Sequence, residues 1–171
     1  ILKLHCEVAD RFQDPELEGE VRFGLPEDFA SMYLYDVLVN FVRLHPRIVL
    51  SIECDLTVNL FKRFQEKEFD LVLVKMNCPE KFPNGQQVWQ ENLEWVGDLK
   101  LIKSEASLPL VLSPQPCVYR ASALEALDTN KWKWKIMFSS TSYAVNTAAV
   151  KAGMGMTVLP RNMVPQSLSI I

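Results

Sequence analysis

The sequence predicts an α/β fold made of two small parallel units with an extended segment between them. In each half of the 171-residue chain, apolar runs of strand length alternate with segments of helical periodicity. Strands that alternate with helices in this way form parallel sheets through right-handed crossovers. A stretch rich in proline and asparagine, residues 77–85, divides the two halves. A cleft between two such units is a common place for a small-molecule site.

The first half is predicted to alternate strands and helices after the end of an amphipathic helix. Leu4, Val8 and Phe12 repeat at four-residue spacing with charged residues between them, which is typical of a helix. Pro46 ends a later helix, because proline disfavours helical geometry at the residue before it. The apolar run at 70–74 is typical of a parallel strand covered on both faces. The predicted elements are a helix at 1–12, strands at 21–25, 48–52 and 70–74, and helices at 31–44 and about 56–64.

The second half repeats this plan after an apolar segment, residues 93–97, that leads out of the first sheet. The hydroxyl residues from Ser139 to Ser142 offer several N-caps for the helix that follows them. Gly153 is placed to end that helix. The predicted elements are strands at 108–112, 134–138 and 156–159, helices at 121–127 and 143–152, and the start of a further strand at 168–171.

Three loops are predicted to face the cleft, because ligands of open parallel sheets bind beyond the carboxyl ends of the strands. The loops are residues 26–29, 55–57 and 139–142. The hydroxyl run of the third loop opens a helix, and free amides at helix N-termini attract anions. Glu27, Asp28 and Asp55 would instead repel a negative ligand. The charge of the ligand therefore stays open.

The helix at 31–44 carries apolar residues on more than one face. Leu34, Leu38 and Phe41 form one face, and Tyr33 and Val37 widen it towards another. One face must cover the sheet. The second face either contacts another subunit or lies within the same core, and the sequence leaves both explanations open.

The sequence offers no catalytic set, no cofactor motif and no metal-ligand spacing. It has no phosphate loop, dinucleotide fingerprint or nucleophile elbow, and neither His5 nor His45 is placed to act as a base. The net charge of −3 gives the chain no general attraction to nucleic acid or anionic membrane, and no apolar run approaches the length of a membrane span. The four cysteines lack paired spacing, and three of them lie in or next to apolar runs, which fits buried, reduced thiols in a cytosolic protein. A redox role for Cys117 is the less favoured alternative.

Several motifs, in this order and spacing, resemble the effector-binding (regulatory) domain of LysR-type transcriptional regulators. They are Glu18-Gly19-Glu20-Val21-Arg22-Phe23-Gly24, Phe41-Val42-Arg43-Leu44-His45-Pro46, Glu68-Phe69-Asp70-Leu71, Leu108-Pro109-Leu110-Val111-Leu112 and the segment from Ala149 to Pro160. Lys67 stands where the family usually has glycine. The resemblance covers the chain nearly end to end.

The resemblance implies an α/β fold of two Rossmann-like subdomains with a hinge and a cleft, of the type 2 periplasmic-binding-protein kind. It implies the end of a linker helix at 1–18, subdomain I at 19–100 and subdomain II at 101–171, with the last strand and helix of subdomain I lying beyond the chain. The implied effector contacts are Pro26, Glu27, Asp28, Phe29, Asp55, Leu56, Thr57, Ser139, Ser140 and Thr141. The implied dimer contacts are Tyr33, Val37, Phe41, Val145 and Ala149.

By this resemblance the chain is expected to sense a small molecule without catalysis or a cofactor. It is expected to form a homodimer or homotetramer in the cytoplasm, away from membranes, and to reach promoter DNA only through a winged helix-turn-helix domain that the chain lacks. The chain has no initiating methionine and looks cut from a longer protein. The main alternative is a solute-binding protein of a transporter with the same fold. An enzyme on this fold is a third hypothesis, which no catalytic set supports.

Overall fold

A computed structural model describes residues 17–77, 85–104 and 107–171, apart from the side chains of Lys103 and Ser104. The helix predicted at 1–12 lies outside the described residues. The chain divides into two compact units, Ile1–Gln90 and Glu91–Ile171. This division falls between residues 90 and 91, whereas the predicted subdomain boundary falls after residue 100. The subdomain boundaries stay a prediction.

A parallel sheet forms the centre of the first unit. Strand β1 (Gly19–Leu25) lies between β2 (Ile48–Cys54) and β3 (Leu71–Val72). The β1–β2 register runs from Gly19 opposite Ile48 to Leu25 opposite Cys54. Helices α1 (Glu27–Leu44) and α2 (Thr57–Gln65) connect the strands. The predicted strand–helix order of this half is therefore confirmed.

Helix α1 begins four residues before the predicted start at Ser31 and takes in part of a predicted loop. Pro26 is the N-cap residue and has an extended backbone, and its carbonyl accepts from the N–H of Ala30 at 3.0 Å. Glu27 and Asp28 lie in the first turn, where acidic side chains are favoured by the partial positive charge of the helix N-terminus. The prediction that residues 26–29 form a loop was wrong, because three of the four belong to α1.

Gly24 lets α2 approach the sheet closely. A Cβ atom at this position would lie 2.8 Å from Cδ2 of Leu60 and 3.2 Å from the ring of Phe69. Leu25 and Leu60 are fully buried and Phe69 nearly so. A side chain at Gly24 would therefore displace the buried Leu60 side chain.

Strand β3 is shorter and more exposed than predicted. The five-residue apolar run pairs with β1 only through Leu71 and Val72, although the N–H of Leu73 also donates to the carbonyl of Gly24 at 2.8 Å. The Leu71 residue is 55% exposed. The expectation that both faces of this strand are covered was wrong for the described residues, because nothing among them covers Leu71.

The second unit contains two strand pairs joined through Met156. Strand β4 (Leu93–Val96) pairs antiparallel with β7 (Thr157–Pro160), and β5 (Leu108–Val111) pairs parallel with β6 (Trp134–Phe138). The prediction of a parallel second unit was therefore wrong for the β4–β7 pair, because the segment after residue 90 returns to this unit as an antiparallel strand. The N–H of Val111 donates to the carbonyl of Met156, and the N–H of Met156 donates to Pro109, both at 2.8 Å. The helices are α3 (Leu99–Ser104), which the sequence did not predict, α4 (Val118–Thr129) and α5 (Tyr143–Lys151).

Both ends of α5 follow the sequence prediction. The Oγ of Ser142 accepts from the N–H of Val145 at 3.4 Å, so Ser142 is the N-cap. Gly153 has φ +80°, and the N–H groups of Gly153 and Met154 donate to the carbonyls of Val150 and Ala149. This is the glycine-terminated helix end known as the Schellman motif.

The core of the second unit lies around β5 and the segment before β7. Leu110 and Val111 are fully buried, and Met156 is 1% exposed. The strand predicted at 168–171 appears only as an isolated bridge between Ile170 and Val96, with the N–H of Ile171 donating to the carbonyl of Trp95. Within the described residues that prediction was too long.

Candidate functional site

In the first unit, an ion pair and a hydrogen bond join residues that follow all three strands, at the edge of the sheet formed by the carboxyl ends of the strands. Asp28, after β1, forms an ion pair with Lys75, after β3, with 2.8 Å between Oδ2 and Nζ. The backbone N–H of Lys75 donates to Oγ1 of Thr57, after β2, at 3.0 Å. The carboxyl ends of parallel strands meet at such an edge, which is where ligands bind in this class of sheet.

The carboxylate of Asp28 is largely shielded from water. Its side chain is 11% exposed, and that of Lys75 is 24% exposed. The other carboxylate oxygen accepts from the N–H of Phe29 at 2.9 Å. Lys75 therefore offsets one of the negative charges predicted for this site. The sequence analysis did not identify this lysine. The available signal was a cation directly after an apolar strand.

Asp55 forms hydrogen bonds at the start of α2. Its Oδ1 accepts from the N–H of Leu56 at 2.7 Å and from Nδ2 of Asn59 at 2.8 Å. The N–H of Asp55 donates to the carbonyl of Leu25 at 3.3 Å, which joins the ends of β1 and β2. Asp55 and Leu56 thus lie in a short loop, and Thr57 is the first residue of α2.

The charge of this edge acts on Cys54. This residue is exposed, contrary to the expectation of buried thiols. Partial desolvation of the thiol raises its pKa, and the carboxylates of Glu27 and Asp28 raise it further. The thiol therefore stays protonated at neutral pH, which makes it a poor nucleophile.

Aromatic rings lie beside this edge. The ring of Phe29 stacks on Trp89 with 5.3 Å between centroids, and it contacts Tyr33 at 5.2 Å. Phe29 is half-buried. The first unit thus offers an apolar wall next to the Asp28–Lys75 ion pair, a combination typical of small-molecule sites.

In the second unit, the hydroxyl loop follows β6 and leads into α5. The N–H of Ser142 donates to Oγ of Ser140 at 3.2 Å. Ser139 and Thr141 are exposed, and Ser140 is half-buried. The carbonyl of Ser140 accepts from Nδ2 of Asn146 at 2.8 Å. The side chain of Asn146 therefore fixes the loop through its hydrogen bond to Ser140. The sequence analysis did not identify this residue.

Ser113 and Arg120 complete the polar cluster at this end of β5. Nδ2 of Asn146 also donates to Oγ of Ser113 at 3.2 Å, and Nη1 of Arg120 donates to the Ser113 carbonyl at 3.2 Å. The Oδ1 of Asn146 and the Nε of Arg120 are buried with no hydrogen-bond partner among the described residues. The sequence signal was an arginine in the first turn of α4 and a lone amide in a helix of small apolar residues.

A separate recess of about 290 Å³ lies at the other end of β6 in the second unit. Its lining includes Leu101, Ile102, Trp132 and Lys133. Trp132 and Lys133 precede β6, whereas the hydroxyl loop follows it. The recess and the hydroxyl loop are therefore two distinct places on this unit.

The residues predicted for a dimer contact have different surroundings. Tyr33, Val37 and Phe41 are half-buried, and the Phe41 ring lies 5.1 Å from that of His45. Val145 is 45% exposed, whereas Ala149 is 6% exposed and lies in the core with Val111 and Val150. Ala149 therefore presents almost no surface to a second subunit.

An exposed apolar stripe lies on another side of α1. Tyr35, Val39 and Val42 are 78%, 52% and 63% exposed. Successive helical residues are about 100° apart, so the side of α1 that carries Tyr33 is nearly opposite to this stripe. A second apolar face of α1 thus exists, at residues other than those the sequence analysis chose.

The described residues contain no group of three histidine, cysteine or acidic side chains that could hold a metal ion. No helix among them has the length and apolar character needed to cross a membrane.

Comparison with known proteins identifies the family. The model of the LysR substrate binding domain matches residues 15–169. HTH-type transcriptional regulator DgdR of Burkholderia cepacia is 28% identical over 172 residues, which cover 100% of this chain and 58% of DgdR. The chain spans little more than half the length of the curated relatives it matches.

Two solved structures show the fold. The CcmR regulatory domain of Synechocystis PCC6803, in complex with 2-PG, has a TM-score of 0.71 at 20% identity, covering 90% of this chain and 80% of its own. The effector binding domain of QuiR, in complex with shikimate, has a TM-score of 0.71 at 14% identity, covering 91% and 80%. The predicted two-subdomain α/β fold, similar to periplasmic binding proteins, is confirmed. Because the matched family model takes in nearly the whole sequence, the chain belongs to the LysR substrate-binding domain family.

Proposed function

We propose that this chain is the effector-sensing and oligomerising domain of a bacterial LysR-type transcriptional regulator. The observation that carries the proposal is the linked edge of the first unit, where Asp28, Thr57 and Lys75 join the ends of three parallel strands. The family match supports it. The domain works by binding rather than catalysis and without a cofactor, and it acts in the cytoplasm rather than at a membrane.

The proposed effector is a small molecule held at the carboxyl ends of parallel strands. Its contacts are the ten residues that the sequence analysis named, which lie at the carboxyl ends of β1, β2 and β6: Pro26, Glu27, Asp28, Phe29, Asp55, Leu56, Thr57, Ser139, Ser140 and Thr141. An effector that binds one conformation of the domain better than another shifts the population towards that conformation. Such a shift alters how a dimer or tetramer presents its DNA-binding domains.

Promoter DNA is contacted through a winged helix-turn-helix domain outside this chain. The relatives that match over the full chain are HTH-type transcriptional regulators, and this favours the regulator over a transporter's solute-binding protein. The homodimer is proposed to use the exposed stripe on α1, together with Val145 on α5. The half-buried side of the same helix then packs within the first unit and holds the stripe in position; its residues are Tyr33, Val37 and Phe41.

Effector binding is tested by thermal unfolding of the chain against a library of small metabolites that includes acids, amines, sugars and aromatic compounds. A compound present at about a hundred times its dissociation constant stabilises the folded state by about 2.7 kcal/mol. We expect at least one class of compound to raise the melting temperature. A library in which no compound does so contradicts the proposal.

Oligomerisation is tested by light scattering over a range of concentrations. We expect a dimer or tetramer that the substitution Val39→Glu converts to a monomer, because a buried uncompensated charge opposes association. Lys62→Glu, which reverses the charge of an exposed side chain on α2, serves as the control and should leave the oligomer intact. A wild-type chain that stays monomeric at high concentration contradicts this part of the proposal.

A further inference from the structure

Two polar atoms are buried without partners at one place in the second unit. They are Nε of Arg120 and Oδ1 of Asn146, and neither has a hydrogen-bond partner among the described residues. The Asn146 residue is only 8% exposed. Nearly all buried polar groups in native proteins are hydrogen-bonded, so a donor and an acceptor left unpaired together require an explanation.

Ser113 brings these two side chains to the same place. Arg120 donates from Nη1 to the carbonyl of Ser113, and Asn146 donates from Nδ2 to its hydroxyl, each at 3.2 Å. Ser113 follows β5, and Asn146 also supports Ser140, which follows β6. The cluster therefore lies at the carboxyl ends of two parallel strands, beside the hydroxyl loop.

The electrostatics of this cluster are positive. Arg120 is half-buried and forms no ion pair with a carboxylate of the described chain. Arg120 and Asn146 lie in the first turns of α4 and α5, and neither turn contains an acidic residue. Both helix N-termini add partial positive charge. The first unit differs, because α1 begins with two acidic residues and Lys75 offsets one of them.

We propose that Arg120 and Asn146 bind a carboxylate group of the effector, together with a hydrogen-bond donor next to that group. The Nε–H of Arg120 donates to the carboxylate, a charge-assisted hydrogen bond. The Oδ1 of Asn146 accepts from a hydroxyl or ammonium group on the neighbouring carbon. The effector class is thus a small acid with a donor beside its carboxyl group, an inference that rests on the proposed effector-sensing function.

The test pairs each acid with its uncharged amide. Small 2-hydroxy and 2-amino acids with varied side chains, and the corresponding primary amides, are titrated into the wild-type chain by calorimetry. We expect at least one acid to bind and its amide to bind at least tenfold more weakly. Loss of a hydrogen bond to a charged group corresponds to about tenfold to about a hundredfold in affinity.

Two variants assign the effect to Arg120. Arg120→Gln should weaken binding of the acid at least tenfold, whereas Lys135→Gln, which removes one exposed positive charge from β6, should leave it unchanged. Without ligand, Arg120→Gln should unfold only slightly more easily than Lys135→Gln, because it loses one hydrogen bond, from Nη1 to the carbonyl of Ser113. Equal binding of acid and amide, full affinity in Arg120→Gln, or a large loss of stability in that variant overturns the inference.

The outcome separates this inference from the function on which it rests. If amines, sugars or uncharged aromatic compounds of the library bind and no acid does, the carboxylate inference fails and effector sensing stands. If no compound of any class binds, effector sensing fails as well.

Discussion

The ammonium group of Lys75 lies 2.8 Å from the carboxylate of Asp28, although the two residues are 47 positions apart in the sequence. The pair links the start of α1 to the segment after β3. It sets the charge of the edge at which the first unit is proposed to contact the effector. Removing one partner leaves the other charge poorly solvated.

Substitution of this lysine should destabilise the first unit. Breaking a fully buried ion pair costs about 3–5 kcal/mol, and the partial exposure of Lys75 reduces the expected loss for Lys75→Met to about 2 kcal/mol. The free energy of unfolding is measured in urea. Arg161→Met removes a cation from an exposed pair with Glu94 and should have an effect of at most about 1 kcal/mol.

A double-mutant cycle checks that the two charges act on each other. The combined variant Asp28→Asn with Lys75→Met should lose less stability than the sum of the single variants, because neither charge is then left unpaired. Strictly additive losses would show that the pair contributes no coupling and would contradict this interpretation.

The ion pair between Arg22 and Asp70 should make stability depend on pH. Hydrogen bonds from the Arg22 side chain and backbone lower the pKa of Asp70 from 3.8 to about 2. Because the folded-state pKa is depressed, the stabilisation is complete above pH 3.8 and is lost as the pH falls towards 2. Urea unfolding between these pH values should show a fall in the free energy of unfolding. In Asp70→Asn the free energy of unfolding should depend less steeply on pH.

The control for this pH dependence is Asp36→Asn, at an exposed position of α1. This substitution removes the same formal charge from a residue that does not pair with Arg22. The pH dependence of the free energy of unfolding should therefore stay close to that of the wild type. A slope that is equally steep in Asp70→Asn would assign the acid sensitivity to other groups.

Lys67 should be replaceable by glycine with a gain in stability. Its φ is 62°, and it follows the end of α2 with its N–H bonded to the carbonyl of Phe64. A side chain in this left-handed conformation costs about 1–2 kcal/mol, part of which glycine loses again through its greater freedom when unfolded. Lys67→Gly should therefore gain about 0.5–1 kcal/mol in urea unfolding. Lys67→Ala, which keeps a Cβ atom, should gain nothing, and an equal gain in both variants would exclude backbone strain as the cause.

Local signals in the sequence were sufficient for much of the fold. The β1–α1–β2 order, the stop before Pro46, the Ser142 cap and the end of α5 at Gly153 each depend on residues close together in the chain. The start of α1 was placed too late, because the acidic residues after Pro26 were assigned to a loop. In the structure they lie in the first turn, where they favour the helix.

The missing parts depend on residues far apart in the chain. The ion pair of Asp28 with Lys75, and the cluster of Ser113, Arg120 and Asn146, exist only once the strands are paired. The exposure of Leu71 likewise depends on what lies beside β3, and an apolar run looks the same whether it is covered or not. Periodicity showed that α1 has apolar residues on several sides, but not which side faces solvent.

The most direct test of effector sensing by the strand-end loops is a map of amide chemical-shift changes when a compound that raises the melting temperature is added to the labelled chain. The proposal predicts the largest changes at residues 27–29, 55–57 and 139–141. Changes confined to the recess near Trp132, or to the exposed stripe on α1, with these three segments unaffected, would contradict it.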